Sequence, residues 1–285
     1  MKACTSVREL PFLERPLLQA FMPFRHVGAM LYDPILDDNV TWAMGIYRYP
    51  ADVHGDNSGD SGGISFATRE TAVFGGYSDH DALLHVGVDY SYINSSYDQF
   101  AFFTQPEIAT NQVVGPLINA DLSAVPAFVD TGIINASDGN LFGMEAGTRT
   151  GSLWTQAEAY VVTLNQMRHA NVTFWGAYIQ AGYILTGEVR PYNKANGVFG
   201  RVTPDSPVKR GGGLGAWEIA GRLSTIDLND ENIRGGRLTD MTAGLNWYLN
   251  ARTKFQLNYI HAFLNREPVG KSDADVLALR AQLDF

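Results

Sequence analysis

Two glycine-rich stretches offer the most direct chemistry in the sequence. KRGGGLGAWE (209–218) has the look of a phosphate cradle, and HGDNSGDSGG (54–63) brings Asp56, Asn57 and Asp60 close enough to suggest a calcium loop. A phosphate loop needs a helix amino terminus behind it, and here an alternating, strand-like run follows. An EF-hand loop needs its ligand spacing and a closing Glu, and both are missing. The histidines show no paired metal-ligand spacing. No GxSxG motif supports a Ser/His/Asp set. What remains is a population of charged residues on one parity of alternating segments: His85, Asp89, Glu145, Arg149, Glu158, Glu218, Arg222, Asp240, Lys254 and Arg280. Arrays of fixed charge on a wall select ions by electrostatics, without bond-making.

The segments that carry these residues alternate with a period of two, the β-strand signal. In DMTAGLNWYL, Met241, Ala243, Leu245, Trp247 and Leu249 oppose Asp240, Thr242, Asn246 and Tyr248. In TKFQLNY, Phe255, Leu257 and Tyr259 oppose Lys254, Gln256 and Asn258. LLHVGVDYSY, AWEIAGRLSTIDL and the terminal DADVLALRAQLDF repeat the pattern. About eleven strands of roughly 8–15 residues result, longer than the 5–6 residues common in globular proteins and suited to crossing a bilayer. Short turns are expected at 33–38, 147–151 and 250–253, and longer polar loops at 51–62, 95–138, 227–235 and 265–273. Aromatics near strand ends (Trp42, Tyr47, Tyr49, Tyr90, Tyr92, Trp247, Tyr248, Phe285) would form interfacial girdles. The fold class expected is all-β, a transmembrane antiparallel barrel. A soluble β-sandwich alternates too and is the rival architecture.

Composition narrows the function classes. The chain of 285 residues has a net charge of −9 and a single cysteine, Cys4. That excludes a disulfide framework and a cysteine-based zinc site. Acidity without a Lys/Arg cluster argues against nucleic acid. No apolar run reaches the length of about 18 residues that a membrane helix needs. The start, MKACTSVRELPFLERPL, lacks a signal peptide's apolar core, which read alone would place the chain in the cytoplasm.

The stretches FLERPLLQAFMPFRHVGAML (12–31), GYILTGEVRPY (182–192), GAWEIAGRLSTIDLND (215–230), GLNWYLN (244–250) and ADVLALRAQLDF (274–285) resemble the phosphate-selective porin O and P family of bacterial outer membranes. The resemblance spans the chain and is strongest over 177–285. It implies a sixteen-stranded barrel, usually a homotrimer, that passes phosphate or other small anions without cofactor or catalysis. It also implies a bacterial outer-membrane location, in contact with lipid and lipopolysaccharide. A terminal Phe285 facing lipid resembles the strand read by the outer-membrane assembly machinery.

Walking back from that strand puts 250–253, 187–213 and 147–151 at the periplasmic end and 227–235, 165–171 and 95–138 outside. The walk ends at Arg25, in the sixth strand from such a barrel's start. Residues 1–24 then read as the remnant of the third external loop, which folds into the pore, and 25–285 as barrel strands with long external loops and shorter periplasmic turns. About eleven of sixteen strands are expected, with the first five and the signal peptide absent through a late start codon or a broken gene. The pore-lining candidates are Arg15, Arg25, His85, Arg149, Arg222, Lys254 and Arg280, with Arg15 and Arg25 flanking the third-loop remnant as the best candidates for a constriction role. No metal site or catalytic residue is expected. The alternatives are a general, weakly selective porin, a soluble carbohydrate-binding β-sandwich, and an outer-membrane hydrolase.

Overall fold

The computed structural model describes residues 9–22, 26–48, 63–76, 78, 81–95, 98–108, 126–210, 212–268 and 270–284. Eleven long strands follow one another along the chain: β1 (Val27–Ile35), β2 (Val40–Arg48), β3 (Ile64–Gly75), β4 (Leu83–Asn94), β5 (Ile134–Thr150), β6 (Leu153–Gln166), β7 (Val172–Ile184), β8 (Ala216–Asp230), β9 (Ile233–Asn250), β10 (Thr253–Arg266) and β11 (Gly270–Leu283). They pair in sequence order, each antiparallel to the next. A two-residue strand, Gln99–Phe100, pairs with β5 beside this path. The sheet is not closed: β1 and β11 are its two edges. The longest strand, β9, has 18 residues.

The alternation read from sequence is the polarity of this sheet, and it is inverted relative to a soluble protein. Leu84, Val86, Val88, Phe142, Met144, Val161, Ile179, Ile219, Leu223, Met241, Leu245, Leu257, Leu277 and Leu279 are exposed on the outer side. His85, Asp89, Glu145, Glu158, Glu218, Arg222, Asp240, Thr242, Asn246, Lys254, Gln256 and Asn258 are buried on the inner side. The outer aromatics also pair in register: Trp217, Trp247 and Phe255 are cross-strand neighbours. Their rings stack at 5.1 and 6.0 Å. Tyr248, expected with them in the girdle, points inward and donates to Glu218 at 2.7 Å; it falls on the polar parity of β9.

Three connections differ clearly from the sequence reading, the first being the longer loop expected at 265–273, where β10 runs to Arg266 and β11 starts at Gly270. The loop expected at 227–235 is a tight hairpin, with β8 running to Asp230 and β9 starting at Ile233. A register shift between Asp227 and Asn229 interrupts the alternation there, which made strand look like loop. The turn expected at 33–38 sits later, because β1 continues through Ile35. Leu36, Asp37 and Asp38 take positive φ in that turn, and the Asn39 side chain caps it by donating to the Leu36 carbonyl at 2.8 Å. The calcium-loop stretch 54–62, Tyr49 and Phe285 lie outside the described residues.

Candidate functional site

The inner face is packed, and three segments pack it. The first is the amino-terminal stretch 9–22, a strap that ends in a short 3-10 turn, Leu17–Phe21. Phe12, Leu13, Leu17, Leu18 and Phe21 are buried. Two glycines on the wall make room for them. A Cβ at Gly244 would stand 3.2 Å from the Phe12 ring, and one at Gly176 would stand 3.2 Å from Leu18 and Phe21. The Leu17 amide donates to Ser224 Oγ at 3.0 Å. The second segment is the connection between β4 and β5. Its Phe100, Phe102 and Val129 join Leu17, Leu18, Phe21, Phe174, Leu228 and Leu238 in one apolar cluster. Glu107 from this connection accepts from Arg222 Nε at 2.8 Å and from Thr242 at 2.9 Å. Its amide donates to Asp240 at 2.9 Å. Burial raises the Glu107 carboxyl above its ordinary pKa, and the Arg222 guanidinium pulls it back.

The third segment joins β7 to β8. It forms a small hairpin, Tyr192–Asn193 against Val198–Phe199, closed by a 3-10 turn that Asn193 caps through the Asn196 amide at 3.1 Å. Gly197 ends that turn in the left-handed conformation, φ 61°. The hairpin reaches strands far from its own: Tyr192 Oη bonds His85 Nδ1 at 2.6 Å, and Lys194 donates to Asn39 at 3.0 Å. Arg69 donates to the Gly197 carbonyl at 2.9 Å and pairs with Glu145. His85 Nε2 lies 3.0 Å from the same carboxylate. Arg190 lies over the Trp154 ring at 4.2 Å, and Trp154 Nε1 donates to Glu218 at 2.7 Å.

Glycines again shape the wall. Gly87 faces Glu145 and Gly143 faces Asp89 across β4 and β5. A Cβ at either glycine would come within 2.6 Å of the facing carboxylate. The two acids therefore lie flat across glycine seats.

The sequence-derived candidates fall into three places. Arg222, Lys254 and Arg280 surround the strap and bond its main chain. His85 and Arg149 hold the third segment: Arg149 Nη1 donates to the Arg190 carbonyl at 3.1 Å, and Nη2 to Ser78 at 3.1 Å. Arg15 sits on the strap and lines a cavity of about 10 Å³ with Glu158, Tyr178 and Gln180, room for about one water. Burial lowers its guanidinium pKa and the Glu158 carboxylate opposes that. Arg25 lies outside the described residues. Arg69, Glu107, Asn246 and Arg190 carry as many contacts as any candidate and were not singled out. Glu107 and Arg190 lie in connections, where no period exists to assign a face. Arg69 and Asn246 share the parity of the residues chosen. The KRGGGLGAWE stretch leads into β8 and not into a helix, so it lacks the donor set of a phosphate cradle.

A sheet of long antiparallel strands, apolar outside and polar inside, defines a membrane-porin type of wall. The model of the family "Phosphate-selective porin O and P" matches residues 1–285, and the chain belongs to that family, one of bacterial outer-membrane channels and not of enzymes. An uncharacterized protein of Caulobacter vibrioides is 31% identical over 175 residues, covering 60% of this chain and 34% of that protein. Porin O of Pseudomonas aeruginosa is 27% identical over 226 residues, covering 72% of this chain and 50% of that protein. The chain thus spans about a third and a half of the length of these curated relatives.

Proposed function

We propose that the eleven-strand sheet is part of the wall of an outer-membrane β-barrel porin, through which phosphate or other small anions diffuse passively. The observation that carries this reading is the inverted polarity, sustained over strands long enough to cross a bilayer. The outer face meets lipid and lipopolysaccharide, and the Trp217–Trp247–Phe255 stack sits where an interfacial girdle belongs. In the closed form the protein is a homotrimer, as the family resemblance implies. The strap 9–22 belongs to residues 1–24, the remnant of the inward-folding third loop, and Arg15 is its candidate for the constriction.

A weakly selective general porin is the second reading. Its support is the mixture of signs on the inner face, where Asp89, Glu145, Glu158, Glu218 and Asp240 are as buried as Arg69, Arg149, Arg222 and Lys254. The test of the common core is detergent dependence. The purified chain is expected to stay dispersed only in micelles or lipid. A monodisperse, folded species in plain buffer would restore the soluble sandwich.

A further inference from the structure

Six consecutive carbonyls of the strap each accept a hydrogen bond from a side chain, five from the inner face of the sheet and the first from the β7–β8 connection. Arg190 donates to Glu9 O at 2.9 Å. Lys254 and Gln256 donate to Leu10 O at 2.9 and 3.0 Å. Asn246 donates to Pro11 O at 2.8 Å. Arg280 donates to Phe12 O at 3.4 Å and to Leu13 O at 2.6 Å. Arg222 donates to Glu14 O at 3.0 Å. Four of these donors are cations, yet Glu9 and Glu14 make no ion pair among the described residues. The hydrogen bonds of the wall go to the strap's main chain; the part-buried Glu14 carboxylate is attracted by Arg280 and Arg222 without pairing with either. A carbonyl is present at every residue, so this recognition is independent of side-chain identity. The side chains add apolar anchors, with Phe12 and Leu18 set against Gly244 and Gly176, and the Arg222 guanidinium lies over the Phe12 ring at 4.3 Å.

We infer that the inner face of β8–β11, with Arg190, is a docking site for an extended main chain, and that its occupant is this chain's own 9–21 segment. Arg190, Arg222, Lys254 and Arg280 are positioning residues for the strap, and the passing solute does not meet them. Charge-assisted donors to carbonyls are stronger than neutral ones, and buried carbonyls without a donor are costly, so each cation is held in place by the strap it holds. The inference does not depend on conduction: the strap is docked whether or not the sheet forms part of a pore.

The test is brief chymotrypsin digestion of the folded full chain in lipid, with cuts after Phe12 or Phe21 read by mass spectrometry. Lys254→Met with Arg280→Met removes three of the bonds. It is expected to speed strap cleavage about tenfold or more, because cleavage follows the population of the opened form, while cuts within the strands stay at the parent's rate. Glu9→Gln with Glu14→Gln keeps every main-chain acceptor and is expected to leave strap cleavage within about twofold of the parent, because neither part-buried carboxylate forms an ion pair among the described residues. Inorganic phosphate, against chloride at equal ionic strength, is expected to change nothing. Should the double-Met variant fail to fold, Gly244→Val blocks the Phe12 seat while leaving every cation in the chain and is expected to release the strap alone. Unchanged strap cleavage in both the double-Met and Gly244→Val variants would overturn the inference. So would release by the Glu→Gln pair, which would mean the side-chain charges hold the strap. Release of the parent's strap by millimolar phosphate would show that the guanidiniums are anion sites that the strap merely competes for.

Discussion

At the level of single residues, the outer and inner parities of one strand make opposite demands. Leu245 and Leu257 are 36% and 39% exposed on the outer face. An Arg in place of either would carry its charge to mid-bilayer, at about 2–4 kcal/mol. The sequence reading expects Arg at Gln256 or Asn258 to be tolerated, because a polar parity should face water. The structure corrects that: both are fully buried against the strap. Gln256 donates to Leu10 O and accepts from Arg280 at 2.7 Å. Gln256→Arg would overpack this layer, at about 1–3 kcal/mol, and set a third cation beside Lys254 and Arg280. The folded fraction, measured by heat-modifiable gel mobility after refolding into lipid, should therefore fall for Leu257→Arg and for Gln256→Arg. Their second phenotypes should differ, with only Gln256→Arg exposing the strap to protease. Full tolerance of Leu257→Arg would sink the lipid-facing assignment.

At the level of elements, the strands were legible and the segments packed between them were not. Period two marks every wall strand because one side meets an apolar medium and the other a polar interior. That same alternation assigned a polar face on β4 to β6 and β8 to β11 whose residues are buried, or in Arg280 half-buried, on the inner side, and named none on β7, where Tyr178 and Gln180 are buried too. It failed at the register shift near Asp227, where a bulge adds one residue and moves the pattern to the other parity. It was silent on the strap and on 185–215, whose conformation is set by long-range contacts and not by local periodicity. Arg190 shows how such a segment is held. It bonds the Glu9 carbonyl of the strap and the Gly200 carbonyl of its own connection, at 2.9 and 3.3 Å, and stacks on Trp154. Arg190→Gln should leave those carbonyls without a donor, at about 1–3 kcal/mol each. Urea unfolding in lipid should show a lower midpoint. Lys209→Gln, on the same connection but exposed, should stay within about 0.5 kcal/mol of the parent. Equal midpoints for the two variants would mean that the connection is not anchored through Arg190.

At the level of the whole molecule, direction and charge decide what the sheet can do. In an antiparallel path of eleven strands the first and last run the same way, so β1 and β11 cannot pair antiparallel with each other. Closure takes an odd number of further strands, and in lipid each unsatisfied edge group costs several kcal/mol. Planar-bilayer recordings of this chain by itself should accordingly lack discrete conductance steps. Stable unitary steps would show that the edges close without help. For a closed barrel, selectivity follows from which charges remain in contact with water. Arg222, Lys254 and Arg280 bond strap carbonyls, and Arg149 and Arg69 hold loop carbonyls. Of the inward-facing cations named on this wall and its strap, Arg15, only partly exposed, is the one without a side-chain hydrogen bond or ion pair among the described residues. It faces Glu158, which offsets its field. A dehydrating anion needs several donors and net positive charge in one place, and one opposed guanidinium does not supply them. The closed barrel should therefore prefer anions weakly, read as a small reversal potential under a salt gradient, and phosphate should block its chloride current only at high concentration. Tight phosphate block abolished by Arg222→Ala or Arg280→Ala would return those side chains to the solute's path, and a clear cation preference would overturn the anion reading itself.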